Sequence, residues 1–170
     1  MDSTNYKESF EKGITMKVLV LSVFIVIYTA AVVFSEELYG KAIFIDDGDT
    51  FILSSHNQKF RVRLANIDAP EKSQEYGEIS KNALLEKILR KNVRVLYYSS
   101  DKYGRIIGTV YVDSRNINYE MVLNGHAWAY RKYLHDTDYI KAEGIAFKKK
   151  RGLWRYSNPI PPEEYRHMNN

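Results

Sequence analysis

Three short segments of the sequence concentrate carboxylates and arginines. Carboxylate oxygens can bind a hard divalent cation or accept a proton, and arginine forks can bind anionic oxygens. The segments are Asp46-Asp47-Gly48-Asp49-Thr50, Arg61-Val62-Arg63 through Asp68-Ala69-Pro70-Glu71, and Asp101-Lys102-Tyr103-Gly104-Arg105. Each segment alone also fits a structural role, namely a hairpin turn, a helix start and a second hairpin with glycine at its tight position. Chemistry is therefore expected only if the fold brings the three segments together.

The residues around these segments are patterned as one small barrel. Alternating and β-rich runs predict five strands, and apolar residues at helical spacing predict about three helices. The predicted strands are residues 39–45, 50–55, 60–67, 93–98 and 106–112, and the predicted helices are residues 73–89, 117–123 and 139–150. Three strands, a helix and two strands follow the order of an OB-fold barrel. The sequence thus predicts an α+β, mainly β, fold in which residues 36–170 form one domain.

Composition excludes some classes of site and favours others. Lys and Arg number 25 against 21 Asp and Glu, and residues 1–35 hold three of each sign, so the net charge of +4 belongs to the predicted domain. A basic domain favours polyanionic partners such as nucleic acid or anionic lipid. The absence of cysteine excludes disulfides and thiolate metal sites, and the four scattered histidines lack the spacing of zinc ligands.

The N-terminal region, residues 1–35, contains a hydrophobic segment. Residues 18–34 form an uncharged run of 17 residues, at the lower limit of what a membrane-spanning helix needs. Read from Met16, the order of Met-Lys, apolar run and Val33-Phe34-Ser35 is typical of a signal peptide. A cleaved signal and a retained anchor both stay open, as do starts at Met1 and Met16. In both cases we expect an N-terminal hydrophobic helix and a domain outside the cytoplasm, secreted, periplasmic or membrane-anchored.

Taken together, the charged segments resemble the staphylococcal nuclease (thermonuclease) family over roughly residues 39–166. The family's acidic turn, its Arg-x4-Asp-x-Pro-Glu pattern and its Asp-x-Tyr-Gly-Arg pattern occur here in the same order and spacing. The similarity continues through residues 124–130 (NGHAWAY) and from residues 152–154 (GLW) to Pro161-Pro162. The resemblance implies an OB-fold hydrolase, a calcium-dependent endonuclease that cleaves DNA and RNA and leaves 3′-phosphate ends. We expect it to act as a monomer.

The resemblance also implies a metal site. Asp49 and Asp68 would bind the cation through oxygen, with the backbone carbonyl of Ala69 as a third ligand and water completing the shell. The family implies Ca²⁺, whereas ligand chemistry alone would also allow Mg²⁺ or Mn²⁺. Asp47 is expected to support the cation ligands without binding the cation itself. Ala69 replaces a hydroxyl residue of the family, which should matter little if only its carbonyl is used.

The resemblance assigns catalytic roles to three residues. Glu71 would act as the general base that receives or orients the proton of the attacking water. Arg63 and Arg105 would bind the phosphate oxygens with forked hydrogen bonds that strengthen as charge develops, so lysine should not replace them. Arg61 shares a strand face with Arg63, but only Arg63 lies at the family's distance from Asp68. Arg61 is therefore expected at the surface.

Substrate binding is predicted at three aromatic or basic positions. Lys102 and Tyr103 match family positions beside the phosphates, and Tyr130 or Tyr133 would supply a stacking face or a hydroxyl. Residues 72–76 form a shorter loop than in the family archetype, a change that could alter substrate range or metal affinity.

Two alternatives to a nuclease are compatible with the sequence. One is a non-catalytic OB-fold domain that binds nucleic acid and is exported or membrane-tethered, as in relatives that keep the barrel and lose the charges. The other is a membrane-associated interaction protein that uses the barrel as a binding surface. The sequence keeps all five charged residues to which the family assigns a role, and this favours the enzyme over both alternatives. They are Asp49, Arg63, Asp68, Glu71 and Arg105.

Overall fold

The computed structural model describes residues 36–134 and 136–169, apart from the side chains of Tyr98 and Tyr133. The predicted hydrophobic helix of residues 18–34 lies outside this part, so that expectation stays a prediction. The described strands are β1 (Glu36–Ile45), β2 (Thr50–Ser55), β3 (Gln58–Leu64), β4 (Ile67–Asp68), β5 (Asn92–Ser100), β6 (Ile106–Val112), β7 (Arg115–Asn116) and β8 (Trp128–Ala129). The described α-helices are α1 (Gly77–Ile88), α2 (Ile117–Leu123), α3 (Asp138–Lys148) and α4 (Pro162–Met168), with 3₁₀ turns at Arg131–Tyr133 and Gly152–Arg155.

Five long strands close into a barrel. The sheet runs in the order β3-β2-β1-β5-β6, and β6 pairs back onto β3. The neighbours along the sheet are antiparallel, whereas the closing pair is parallel, with Val62 opposite Ile106 and Arg63 opposite Ile107. The predicted five-stranded barrel is confirmed, and its arrangement is consistent with an OB-fold. Closure brings the end of β3 next to the start of β6, where two of the charged segments lie.

The barrel encloses an apolar core. Strand β6 alternates strictly between buried and half-buried residues, which is the period-two pattern of a strand with one face inside. Phe51, Leu53 and Val95 are fully buried inside the barrel, and Leu84 and Ile88 of α1 join the same cluster. Each such side chain contributes about 1.5–3 kcal/mol by leaving water. The core therefore gives the strand ends that carry the charged segments a rigid support.

A buried asparagine ties the corner after β3 to strand β6. The Asn118 side chain accepts a hydrogen bond from the Val110 amide (2.9 Å) and donates to the carbonyls of Ala65 (2.9 Å) and Gly108 (3.0 Å). Asn118 is fully buried, so its polar atoms depend on these partners. The corner between Arg63 and Asp68 is thereby held in place.

Several bounds differ from the prediction. The predicted strand 60–67 is divided into β3 and β4 around Asn66, which has a positive φ of 65°, and helix α3 spans Asp138–Lys148 where residues 139–150 were predicted. Helix α1 begins at Gly77 and not at residue 73, because residues 73–76 form turns and Tyr76 has a positive φ of 73°. About three helices were predicted, whereas the described residues contain four α-helices. The additional helix, α4, was missed because its sequence, PEEYRHM, has too few apolar residues to form an apolar face at helical spacing.

His126 connects helix α1 to the chain segment that leads into β8. Its ring stacks on Tyr76 at 6.1 Å, its Nδ1 lies 3.0 Å from the Tyr76 hydroxyl, and its carbonyl accepts a 2.7 Å hydrogen bond from Ser80. Burial lowers the pKa of His126 to about 4, and the charge of Lys87 acts in the same direction. The folded state therefore takes up a proton at His126 less readily than the unfolded chain does.

This shift predicts a pH dependence of stability. Because the folded pKa is below the unfolded value, the contribution of His126 is intact above about pH 6.5 and is lost as pH falls toward 4. Between pH 7 and pH 4.5 we expect His126 to account for a loss of about 2 kcal/mol in the free energy of unfolding. Urea unfolding of wild type and His126→Asn at both values measures it, with exposed His56→Asn as the control. An equal loss in wild type and His126→Asn would contradict the prediction.

Candidate active site

The three charged segments meet at one pocket of about 110 Å³ at the end of the barrel. It contains all the charged residues predicted for catalysis and cation binding, together with an arginine from helix α4. The lining residues are Asp47, Asp49, Arg63, Asp68, Ala69, Pro70, Glu71, Arg105 and Arg166. The pocket is thus built from parts of the chain that are up to 119 positions apart, as Asp47 and Arg166 show.

Arg63 forms the centre of the pocket. Its guanidinium is only 13% exposed and pairs with both predicted cation ligands, through Nη1 with Asp49 Oδ1 and through Nη2 with Asp68 Oδ1 (2.9 Å). The Arg63 guanidinium also lies 5.9 Å from the ring centre of Tyr130. Burial would lower the pKa of Arg63, but the charge of Asp49 outweighs it and raises that pKa. Arg63 is therefore a permanent cation held in one orientation.

Asp49 is fixed by its own turn as well as by Arg63. Its Oδ2 accepts a 2.9 Å hydrogen bond from the Ala69 amide, and its Oδ1 accepts one of 3.0 Å from the Thr50 hydroxyl. Burial raises the pKa of Asp49, but Arg63 and these hydrogen bonds lower it by more, so the net shift of the pKa is downward. Asp49 is consequently an anion, although it is only 6% exposed.

Asp47 lies behind Asp49 in the same turn. Its Oδ1 accepts a 3.0 Å hydrogen bond from the Asp49 amide. Burial raises the pKa of Asp47 to about 7, and the negative charge of Asp49 adds to the effect. Asp47 is therefore protonated more readily than an exposed aspartate, chiefly because it is buried.

Asp68 is positioned by a short second sheet. Strand β4 pairs antiparallel with β8, and Asp68 lies opposite Trp128. Strand β8 is in turn anchored on helix α3 by a 2.9 Å hydrogen bond from the Ala129 amide to Glu143. Burial raises the pKa of Asp68, and the hydrogen bond from Arg166 opposes that rise. The Asp68 carboxylate is 4% exposed and opens only toward the pocket.

Arg105 enters the pocket from the hairpin before β6. Asp101 accepts hydrogen bonds from the Arg105 amide (2.9 Å) and from its Nε (2.7 Å), and Gly104 completes the turn with a φ of 74°. Among the described residues, Asp101 is the only side chain that hydrogen-bonds the Arg105 guanidinium. Both terminal nitrogens of Arg105 are therefore available to an anionic ligand.

Glu71 lies in the loop after β4 and is held from two sides. Its amide donates to the Gln74 side chain (3.1 Å), and its Oε1 accepts a 2.7 Å hydrogen bond from Arg166 Nη1. The Glu71 side chain is 37% exposed at the pocket. It can accept a proton there from a solvent molecule or a ligand.

A second cavity of about 370 Å³ shares Arg63 with the first pocket. The three residues predicted to bind substrate, Lys102, Tyr103 and Tyr130, all line it. Tyr103 is 69% exposed, and the Lys102 ammonium lies 5.0 Å from its ring centre. The side chain of Tyr133, the other candidate for stacking, lies outside the described part. The cavity therefore offers aromatic faces and positive charge beside the charged pocket.

Arg61 does not line the pocket. Two residues, Asp101 and Arg166, contact the predicted site residues in a way that the sequence did not indicate. Arg61 pairs with Asp46, which Lys72 also contacts at 2.8 Å. Asp101, which orients Arg105, belongs to the predicted motif but was given no role. Arg166 was missed because it reaches the site only through the docking of α4, and no local pattern signals that contact.

Gly48 allows the acidic turn to pack against helix α1. A Cβ atom at this position would lie 2.0 Å from Ser80 Oγ and 2.7 Å from the Ala69 Cβ. Only a hydrogen fits there, and the small side chain of Ala69 suits the same contact. This packing sets the position of Asp49, the next residue in the turn.

A divalent cation would find oxygen ligands only. Within residues 36–134 and 136–169, no three His, Asp or Glu side chains are grouped to hold a metal by themselves. Asp49 and Asp68 face the pocket together with Ala69, so two carboxylates and one carbonyl could serve as ligands if water completes the shell. Arginines beside such a cation could bind an anionic group in the same pocket.

Comparison with known proteins gives consistent matches. A model of the family described as Staphylococcal nuclease homologue matches residues 61–156. An uncharacterized endonuclease of Haemophilus influenzae is 41% identical over 154 residues, covering 90% of this chain and 86% of the relative. An uncharacterized endonuclease of Escherichia coli is 40% identical over 132 residues, covering 77% and 86%. Staphylococcal-like nuclease CAN1 of Arabidopsis thaliana is 38% identical over 109 residues, covering 64% and 34%.

The packing of Gly48 predicts opposite effects of one substitution at two glycines. Gly48→Ala should lower the free energy of unfolding by about 1–3 kcal/mol, because the added methyl has no space. Gly144→Ala, in the middle of α3 with nothing within 4 Å of the new methyl, should raise it by about 0.5–1 kcal/mol. Urea unfolding measures both. A Gly48→Ala protein as stable as wild type would show that the turn is not packed as described.

Proposed function

The chain belongs to the staphylococcal nuclease family, and on this premise we propose that it is a calcium-dependent endonuclease. The proposed reaction is hydrolysis of phosphodiester bonds in DNA and RNA, with 3′-phosphate ends as products. The observation that carries the proposal is the meeting of Asp49, Arg63, Asp68, Glu71 and Arg105 at one pocket. These groups are what attack on an anionic phosphodiester needs, namely cationic donors, a base and cation ligands.

The two arginines have different roles in the proposed reaction. Arg63 is held by two carboxylates, so it is pre-oriented and offers a fixed positive charge beside the phosphate. Arg105 is oriented through Nε by Asp101, and its terminal nitrogens can form a fork with two phosphate oxygens. Both sets of contacts would strengthen as negative charge builds on the phosphate during attack.

Glu71 is the proposed general base. Its carboxylate reaches the pocket and is kept in place by the Gln74 and Arg166 contacts, so it can accept the proton of an attacking water. A well-placed base contributes about 10²–10⁴ in rate. Proximity to both arginines would let the same pocket hold phosphate and water together.

The donor set of the pocket fits a calcium ion. Asp49 and Asp68 would hold it with the Ala69 carbonyl, as oxygen ligands that calcium prefers. When bound, the ion supplies positive charge that stabilises the developing negative charge on the phosphate. The Asp47 side chain supports this site by accepting a hydrogen bond from the Asp49 amide, which fixes the turn that carries Asp49.

The neighbouring cavity supports a role in holding a nucleotide. A base could stack on Tyr103 or Tyr130 while Lys102 contacts the adjoining backbone phosphates. Contacts of this kind do not select one base, which accords with action on both DNA and RNA. We propose that the enzyme acts as a monomer.

We also propose that the nuclease domain works outside the cytoplasm. None of the helices within residues 36–134 and 136–169 is long and apolar enough to cross a membrane. The proposal rests on the sequence of residues 18–34, which reads as either a cleaved signal or a retained anchor.

Digestion of single-stranded DNA by the full-length protein tests the proposed activity. With millimolar calcium, wild type should degrade DNA and RNA, and EDTA should abolish the activity. Arg105→Ala should lower kcat by about 10²–10³, the usual cost of losing one transition-state donor. Arg61→Ala is the matched control and should stay near wild type, because Arg61 pairs with Asp46 away from the pocket. Labelling of product ends should find 5′-hydroxyl and 3′-phosphate groups.

The same assay separates the enzyme from a binding domain. Wild-type protein that binds single-stranded DNA and leaves it undigested, with or without calcium, would leave only the binding function. Equal activity of wild type, Arg105→Ala and Asp49→Ala would place the chemistry elsewhere.

N-terminal sequencing of the mature protein tests the proposed export. A first residue near Glu36 is expected for a cleaved signal, whereas a retained residue 1 or 16 together with membrane association is expected for an anchor. Recovery of an uncleaved protein only from the soluble cytoplasm would contradict export in either form.

A further inference from the structure

Arg166 binds the two carboxylates that matter most to the proposed reaction. Its Nη2 lies 2.9 Å from Asp68 Oδ2, and its Nη1 lies 2.7 Å from Glu71 Oε1 and 3.4 Å from Asp68 Oδ1. Arg63 Nη2 donates a 2.9 Å hydrogen bond to the other carboxylate oxygen of Asp68, Oδ1. Both oxygens of a proposed cation ligand are thus already occupied by arginine.

The C-terminal segment that carries Arg166 is fastened to the loop that carries Glu71. The Tyr165 hydroxyl lies 3.1 Å from the Ser73 carbonyl, and the Gln74 side chain donates a 2.5 Å hydrogen bond to the Ile160 carbonyl. Gln74 also accepts the hydrogen bond from the Glu71 amide. These contacts hold the backbone of α4 beside the Glu71 loop and so bring the Arg166 side chain to Asp68.

These contacts place a positive charge where the proposed cation would bind. A divalent cation can use Asp68 only if it shares or takes an oxygen that now accepts from Arg166 or Arg63. Arg63 is 13% exposed and has a second partner in Asp49, whereas the Arg166 side chain is 36% exposed. Arg166 is the arginine that can leave toward solvent without disturbing the core.

We propose that Arg166 is a built-in counter-cation that competes with the divalent cation for Asp68. It neutralises Asp68 and holds Glu71 while no cation is bound, and it gives up Asp68 Oδ2 when the cation arrives. The C-terminal helix α4 thereby sets the cation concentration at which the site becomes loaded. This inference rests on the proposed cation site but not on the reaction that follows.

Titration of the full-length protein with Ca²⁺ alone, without nucleic acid, tests the competition by calorimetry. Arg166→Gln should bind Ca²⁺ about tenfold more tightly than wild type, since the cation no longer displaces a charge-assisted hydrogen bond. Arg155→Gln is the matched control, because it removes the same charge from an exposed position near α4. It should change the affinity by less than about twofold, as expected for a solvent-screened charge.

A second variant keeps the test valid if Arg166→Gln folds poorly. Tyr165→Phe removes the hydroxyl contacts to Ser73 and leaves Arg166 in place, so it should loosen α4 and tighten Ca²⁺ binding by a smaller factor. Unchanged or weaker Ca²⁺ binding in both variants would overturn the inference, since Arg166 would then only position the ligands. Absence of any Ca²⁺ binding that Asp49→Asn removes, in wild type and variants alike, would instead refute the proposed cation site.

Discussion

The buried guanidinium of Arg63 is the interaction on which the site depends. It lies on β3 opposite Thr50 of β2 and Ile107 of β6, at the parallel pair that closes the barrel. Its two carboxylate partners are Asp49, from the turn before β2, and Asp68, from strand β4. Because an unpaired buried charge is costly, loss of any one member leaves the others uncompensated. The strand pair that closes the barrel therefore also carries the central residue of the charged pocket.

The other charged residues of the pocket contact this centre in different ways. Asp47 fixes the turn of Asp49 by accepting a hydrogen bond from the Asp49 amide, while Arg166 pairs with Asp68. Arg105 is different, because its partner Asp101 leaves the fork open toward the pocket. The folded protein is thus nearly balanced without a cation, yet it keeps one guanidinium ready for an anionic ligand. This balance explains how so many like charges can share a pocket of about 110 Å³.

The sequence predicts the structure best where the pattern extends over only a few neighbouring residues. Strands 50–55 and 106–112 and helix 117–123 have the predicted bounds, because alternation and helical spacing act over a few residues. The five charged residues were identified through motif spacing, and the structure brings them together. Local sequence patterns do not predict contacts between distant parts of the chain. Arg166 reaches the pocket only through the packing of α4 against the Glu71 loop, and helix α1 begins at Gly77 because Tyr76 has a positive φ, which tyrosine rarely adopts.

We propose that one pocket binds a divalent cation through Asp49 and Asp68 and a phosphodiester through Arg63 and Arg105. The most direct measurement is a crystal structure of the protein with Ca²⁺ and a non-hydrolysable phosphorothioate dinucleotide. We expect the cation between the two carboxylates and the thiophosphate in contact with both arginines. A cation bound elsewhere, or a thiophosphate that contacts neither arginine, would contradict it.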